Sequence, residues 1–167
     1  MQSVEYFVGS EKVIEALGYW PTFHDAEVIS FSAERALPFK NGYSVARMAV
    51  HVRQYAAVGE GTAEYELVLR KSVLVRFLFN GACDFKLSEF NHQNVINSLT
   101  ATRVEGNEAA VVQVDVESIW GFGGSLKCSS VEIEAVELLP TPRPNPSIEG
   151  TSTSGLRPLA PAPHVKR

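Results

Sequence analysis

Ala46-Arg47-Met48-Ala49-Val50-His51-Val52-Arg53 alternates residue by residue. Ala46, Met48, Val50 and Val52 fall on one face of an extended chain, and Arg47, Ala49, His51 and Arg53 on the other. Successive side chains of a strand point to opposite sides, so this is a strand with one wet face. The same period recurs further on. Ala110, Val112, Val114 and Val116 oppose Val111, Gln113, Asp115 and Glu117, while Val131, Ile133 and Ala135 oppose Glu132 and Glu134. Antiparallel sheets tolerate a solvated face; parallel sheets bury both. Tyr65 to Phe79 is nearly continuously apolar, broken chiefly by Glu66, Arg70, Lys71 and Arg76, and reads as central strand.

Turn signals divide these runs. Asn80-Gly81 reads as a hairpin or bulge, and Gly106-Asn107 separates another pair of strands. Gly121, Gly123 and Gly124 interrupt a strand that keeps Trp120, Phe122, Leu126 and Cys128 on one face, a pattern of strong bending. One helix stands before them. Ser10 is its candidate N-cap, Glu11 lies in the first turn, Gly18 ends it, and Val13, Ile14 and Leu17 form its apolar stripe. Gln93 to Leu99 reads as a further short helical turn. The expected fold is mainly β (α+β), with about seven or eight antiparallel strands. They form a strongly curved sheet, or a partly open barrel or sandwich, with one short N-terminal helix.

The chain has 167 residues, 45 % apolar and 20 % charged, which suits one domain with an appendage. Seven of the nine prolines lie between Pro140 and Pro163, among serines and threonines with few large apolar side chains. Such a segment buries too little surface to offset its ordering entropy. A single β-rich domain over residues 1–140 and a flexible tail over 141–167 are expected. The formal charge is −4, but the last 27 residues hold four basic groups and one acid, leaving −7 on the first 140. An acidic body has no basic stripe to displace phosphate counterions, which argues against nucleic acid and suits a basic partner.

Met1-Gln2-Ser3-Val4-Glu5 has an early acid and no basic region before an apolar run, unlike a secretory signal. No apolar run approaches the roughly 20 residues of a membrane helix. Cys83 and Cys128 lack metal-type spacing. Two reduced, buried thiols of a cytoplasmic protein are expected rather than a disulfide.

Chemistry concentrates in Gly18-Tyr19-Trp20-Pro21-Thr22-Phe23-His24-Asp25-Ala26-Glu27-Val28, with three aromatics, one histidine and two carboxylates between the helix and the first strand. If the strand starts at Asp25, then Asp25, Glu27, Ile29 and Phe31 share a face and the two carboxylates stand about 7 Å apart. Three readings are open. Trp20 and Phe23 plug the sheet while His24 or Asp25 bonds the turn backbone; or the turn contacts a partner or ligand; or it binds metal or catalyses. The first is favoured, since three or four converging metal ligands are not visible and neither His51 nor His92 is tied to the turn by spacing. In Phe90-Asn91-His92-Gln93-Asn94-Val95-Ile96 the amides are expected to satisfy loop backbone rather than a partner. No Gly-x-Ser-x-Gly, phosphate loop or activated cysteine occurs. No catalytic residue, metal or cofactor is expected.

Leu17 to Val28 resembles the signature of the immunity protein 50 family, predicted bacterial immunity proteins, with Thr22 where serine is usual. Phe90 to Ile96 and the Gly/Phe-rich strand ending Ser125-Leu126-Lys127-Cys128 resemble it too, and the likeness spans Ser10 to Leu138. It implies a small β-rich cytoplasmic protein that neutralises a cognate toxin by binding, with no catalytic residues. Arg143 to Thr151, with Pro163 to Arg167 at the end, resembles translated read-through of the repeat that borders integron gene cassettes. On this reading Trp20, His24, Asp25 and Glu27 contact a protein partner, a cognate and basic toxin. The alternative is a β-fold small-ligand binder or hydrolase with its site at His24, Asp25 and Glu27. Homo-oligomers are allowed by either reading.

Overall fold

The computed structural model describes residues 4–35, 44–104 and 112–141. The expected tail beyond Thr141, the Gly106-Asn107 turn and Ala110-Val111 lie outside them. After a 3-10 turn at Val4–Tyr6, the elements are β1 (Phe7–Val8), α1 (Ser10–Leu17), β2 (Ala26–Arg35), β3 (Ser44–Val58), β4 (Glu66–Asn80), β5 (Cys83–Ser88), β6 (Val95–Arg103), β7 (Val112–Trp120), β8 (Gly123–Cys128) and β9 (Ser130–Leu138). They form one open sheet in the order β1-β9-β4-β3-β2-β6-β7-β8-β5. Every pair is antiparallel except the two-residue β1, which runs parallel to β9. The curved, mainly β fold is as expected, with nine strands among the described residues.

The alternation of β3 is what builds the core. Ala46, Met48, Val50 and Val52 are buried, and they face Phe79, Phe77, Val75 and Val73 of β4 in register. Such cross-strand pairs are the units that stabilise a sheet. β2 meets β6 only at Ala26–Ile96 and Glu27–Val95. Beyond these pairs the strands part, and the five strands before the junction share one core with the four after it. Phe7, Trp20, Phe23, Phe77 and Phe79 make a chain of ring contacts with centroids 4.9–6.3 Å apart at the end of the sheet nearest α1.

Val13 and Leu17 dock α1 on the sheet, whereas Ile14 stays 40 % exposed. Gly18 takes the left-handed cap as expected, its N–H on the Ile14 carbonyl at 2.7 Å. At the other end left-handed Gly9 is the cap and Ser10 is already helical. The helix is too short to stand alone. Lys12 Nζ to the Ile133 carbonyl (2.8 Å) and Lys71 Nζ to the Ala16 carbonyl (2.7 Å) tie it to β9 and β4.

Four expectations need correction. Residues 93–99 are not helical: from Val95 on they are β6, whose Leu99 and Ala101 are buried and alternate with Thr100 and Thr102. Asn80-Gly81 is no hairpin, because β3 and β9 already occupy both edges of β4; the turn instead sends the chain to β5 at the sheet's far edge. Gly121 lies in the turn between β7 and β8 rather than within one strand, and Trp120 points outward, 58 % exposed. A bulge at Glu134 turns Ala135 toward the face of Arg76 and brings Val136 against the core.

Candidate functional site

The turn between α1 and β2 is stitched down on both sides. Phe23 and Asp25 both have left-handed backbone, φ 63° and 59°. Phe23 is 1 % exposed and accepts the Ala26 N–H, while the Asp25 N–H donates to the Ile96 carbonyl at 3.0 Å. Trp20 packs between Phe7 and Phe23, and among the described residues its buried Nε1 has no hydrogen-bond partner. The strand begins at Ala26, with Asp25 still in the turn, and a bulge at Ile29 turns Phe31 toward the core. Asp25, Glu27, Ile29 and Phe31 therefore do not share a face.

The four residues expected to form a partner site separate. Trp20 serves the core. His24 and Asp25 stand together in solvent, with Nε2 and Oδ2 3.6 Å apart and side chains 57 % and 75 % exposed. His24 Nδ1 meets Asn97 Oδ1 at 2.9 Å, and Asn97 Nδ2 donates to Glu117 Oε2 at 2.8 Å. Glu117 thereby orients the Asn97 amide, so Nδ1 of His24 carries the hydrogen. Glu27 belongs to a second cluster on the outer face of β2, β3 and β4. It lies opposite His51 in the ladder and 3.7 Å from Arg53.

His51 was not tied to the turn by sequence spacing, but strand pairing puts it beside Glu27. Its Nε2 is 2.7 Å from Ser72 Oγ, the separation of a nucleophile and its base. Ser72 is only 6 % exposed, so the contact satisfies a buried hydroxyl and a half-buried imidazole rather than presenting a nucleophile to solvent. Burial, and then the Arg53 charge, push the His51 pKa down, against a smaller opposing pull from Glu27. A depressed histidine binds its proton less well folded than unfolded. Its share of stability is thus full above the unfolded pKa of about 6.5 and is lost as pH falls toward the folded value. Wild-type protein is expected to lose stability to urea between pH 7 and pH 5 more steeply than His51→Asn. Parallel slopes would refute the assignment.

The other candidates are structural. Asn94 is 4 % exposed; its Oδ1 accepts from the N–H groups of Asn91 and Phe122, and its Nδ2 donates to the Asn91 carbonyl. The amides of Asn91 to Asn94 hold two turns, as expected. Both cysteines are free, Cys83 half-buried and Cys128 buried, the latter with its pKa pushed up to about 12 by burial and then by Cys83. No three His, Cys, Asp or Glu side chains converge as metal ligands among the described residues, and none of their helices is long and apolar enough to cross a membrane.

Two features went unread in the sequence. Glu27, Val95 and Trp120 stand in one row across β2, β6 and β7, so the exposed tryptophan of this end is Trp120 and not Trp20. The second is a ribbon. β3 and β4 stay paired out to Val58–Glu66, whereas β2 stops pairing at His51 and β9 at Val73. Residues 54–69 thus project beyond the sheet with Tyr55, Val58, Tyr65 and Leu67 41–58 % exposed. They include Glu60, Glu64 and Glu66 and no lysine or arginine. The acidic Gly59-Glu60-Gly61-Thr62-Ala63-Glu64 turn between two apolar runs was the available signal.

The turn, the base of the ribbon and Trp120 meet at one end of the sheet. They offer acidic groups and exposed aromatics, which is the chemistry of a protein-binding surface. Among curated proteins and among solved structures, nothing matches the chain. The family model described as immunity protein 50 matches residues 9–139, most of the chain and nearly all of the described sheet. The chain belongs to the immunity protein 50 family.

Proposed function

We propose that the protein neutralises a basic toxin by binding it in the cytoplasm, without catalysis, at the end of the sheet that carries Asp25, the 54–69 ribbon and Trp120. The observation that carries this reading is the ribbon, with four large apolar side chains held out to solvent beside three glutamates that form no ion pair among the described residues. Exposed apolar surface on this scale is otherwise a liability, and a partner that covers it removes the liability. Acidic groups around it speed encounter with a basic surface and repel a second copy of the same ribbon. Residues 1–140 form the binding unit, and the segment from 141 onward is cassette-derived appendage.

The test is co-expression of the full chain with the toxin domain encoded nearest its gene. Survival and a stable complex are expected; a toxin that still kills, with no complex formed, would sink the proposal. Within the complex, Asp25→Asn combined with Glu64→Lys is expected to weaken binding by about 1–3 kcal/mol, chiefly by slowing association, with the wild-type rate falling as salt rises. Asparagine is chosen because it tolerates the left-handed backbone at φ 59°, which alanine does not. Unchanged association kinetics would place the interface elsewhere, on the strand faces of Asp115, Glu117, Glu132 and Glu134.

A further inference from the structure

Where β2 parts from β6, the opening is lined by aromatic rings rather than by a closed ladder. Phe31 of β2, turned inward by the Ile29 bulge, meets Phe122 of the β7–β8 turn with centroids 5.6 Å apart and planes at 34°. Phe90, from the loop after β5, stands edge-on to Phe122 at 5.8 Å and 77°, and Phe85 stands edge-on to Phe31 at 6.0 Å. Phe31, Phe90 and Phe122, with Leu87, Ser88 and Glu89, line a cavity of about 270 Å³. Phe90 is 53 % exposed, so the cavity opens to solvent.

The charge of this lining has one sign. Among the described residues Glu89 is its only ionisable side chain, placed there by a left-handed backbone, φ 57°, that a glutamate rarely adopts. Among the described residues it has no ion-pair partner. The face of a phenyl ring carries the negative part of its quadrupole, three such rings line the cavity, and a carboxylate at the rim adds a full charge. Such a space attracts cations that shed their water cheaply. A metal ion or a bare ammonium stays too strongly hydrated for an apolar wall. An alkylated ammonium or a guanidinium spreads its charge over a larger, less hydrated head. The volume is just below the roughly 300 Å³ at which small-molecule pockets begin, enough for a head group alone.

We propose that this cavity is an aromatic cage that binds the head group of an organic cation, an alkylated ammonium or a guanidinium. The cage lies apart from the His24–Asp25 turn, and its occupancy does not depend on the toxin-binding reading.

The probes are choline, its neutral isostere 3,3-dimethylbutan-1-ol, and acetyl-arginine amide, each titrated into the full chain and followed by amide chemical shifts. Saturable shifts at Glu89, Phe90 and Phe122 are expected with a cation, at least about tenfold tighter than with the alcohol. Glu89→Gln is expected to weaken the cation severalfold and leave the alcohol unchanged, and Phe90→Ala to abolish binding with little change in melting temperature. Choline binding alone identifies a small free cation as the ligand, and arginine-amide binding alone identifies a side chain of another protein; either supports the cage. An alcohol that binds as tightly as choline, no saturable shift in the millimolar range, or a Glu89→Gln variant that binds choline as the wild type does would each overturn it.

Discussion

Asn94→Ala is expected to destabilise the protein by about 2–4 kcal/mol in urea unfolding. The side chain is 4 % exposed, and Oδ1 accepts two backbone N–H groups, from Asn91 at 2.9 Å and Phe122 at 3.1 Å. Removing the amide strands both donors and the Asn91 carbonyl, and a buried group left unpaired costs more than a made hydrogen bond gains. The position also joins distant parts of the chain. Its own carbonyl accepts the Val28 N–H at 2.8 Å, beside the two-pair junction of β2 and β6. Gly121 sits so close to Asn94 Oδ1 and the Gln93 carbonyl that a Cβ there would collide with both. Asn94→Asp separates the roles, since it keeps both acceptor contacts but turns a carboxylate oxygen toward the Asn91 carbonyl. It is expected to fall between wild type and Asn94→Ala. A loss below about 1 kcal/mol for the alanine variant would mean that water replaces the amide at little cost.

The strands were legible where one face is wet and the other buried. β3, the described part of β7, and β9 as far as Ile133 follow a period-two rule that local sequence states outright. What was not legible depends on pairing. A bulge adds one residue without changing composition, so nothing near Glu134 or Ile29 announces that the faces exchange there. The Asn80-Gly81 turn has hairpin chemistry but cannot make a hairpin once β4 is flanked on both sides, and that flanking is a property of the whole sheet. Residues 95–99 were misread because a short apolar run bounded by amides suits a helical turn as well as a strand.

The site was half legible for the same reason. His24 and Asp25 stand in solvent as their position in a turn implies. Two tryptophans of equal hydrophobicity, however, cannot be sorted into buried and exposed from their neighbours alone. Trp20 follows a helix that must dock, and the ring chain Phe7–Trp20–Phe23 draws it in. Trp120 ends a strand whose last four residues, from Glu117 on, are all exposed, so it remains outside. His51 and Glu27 are 24 positions apart in sequence and adjacent only through the β2–β3 ladder. The Phe31–Phe122 cavity likewise combines residues from three separate parts of the chain.

Phe23→Ala is expected to be the most damaging change in the turn, costing about 3–5 kcal/mol. The ring is 1 % exposed and bridges Trp20 and Phe77, at 5.4 and 5.7 Å. Its loss opens a cavity beneath His24 and Asp25 and uncouples the turn from the core. The backbone adds a second effect of known sign. At φ 63° a residue with a Cβ is strained by about 1 kcal/mol or more, and alanine keeps that strain while glycine releases it. Phe23→Gly is therefore expected to be more stable than Phe23→Ala by about 1 kcal/mol, although glycine normally lowers stability through the unfolded chain. Equal stabilities would mean that the turn relaxes out of the left-handed region once the ring is gone. The pair also separates anchoring from recognition. Neither Phe23 variant alters a charged or exposed group, so any loss of the toxin binding proposed above should follow the fraction of folded protein and return when the variants are stabilised by cooling to their temperature of maximum stability. Asp25→Asn, by contrast, should bind more weakly at every temperature at which it is fully folded.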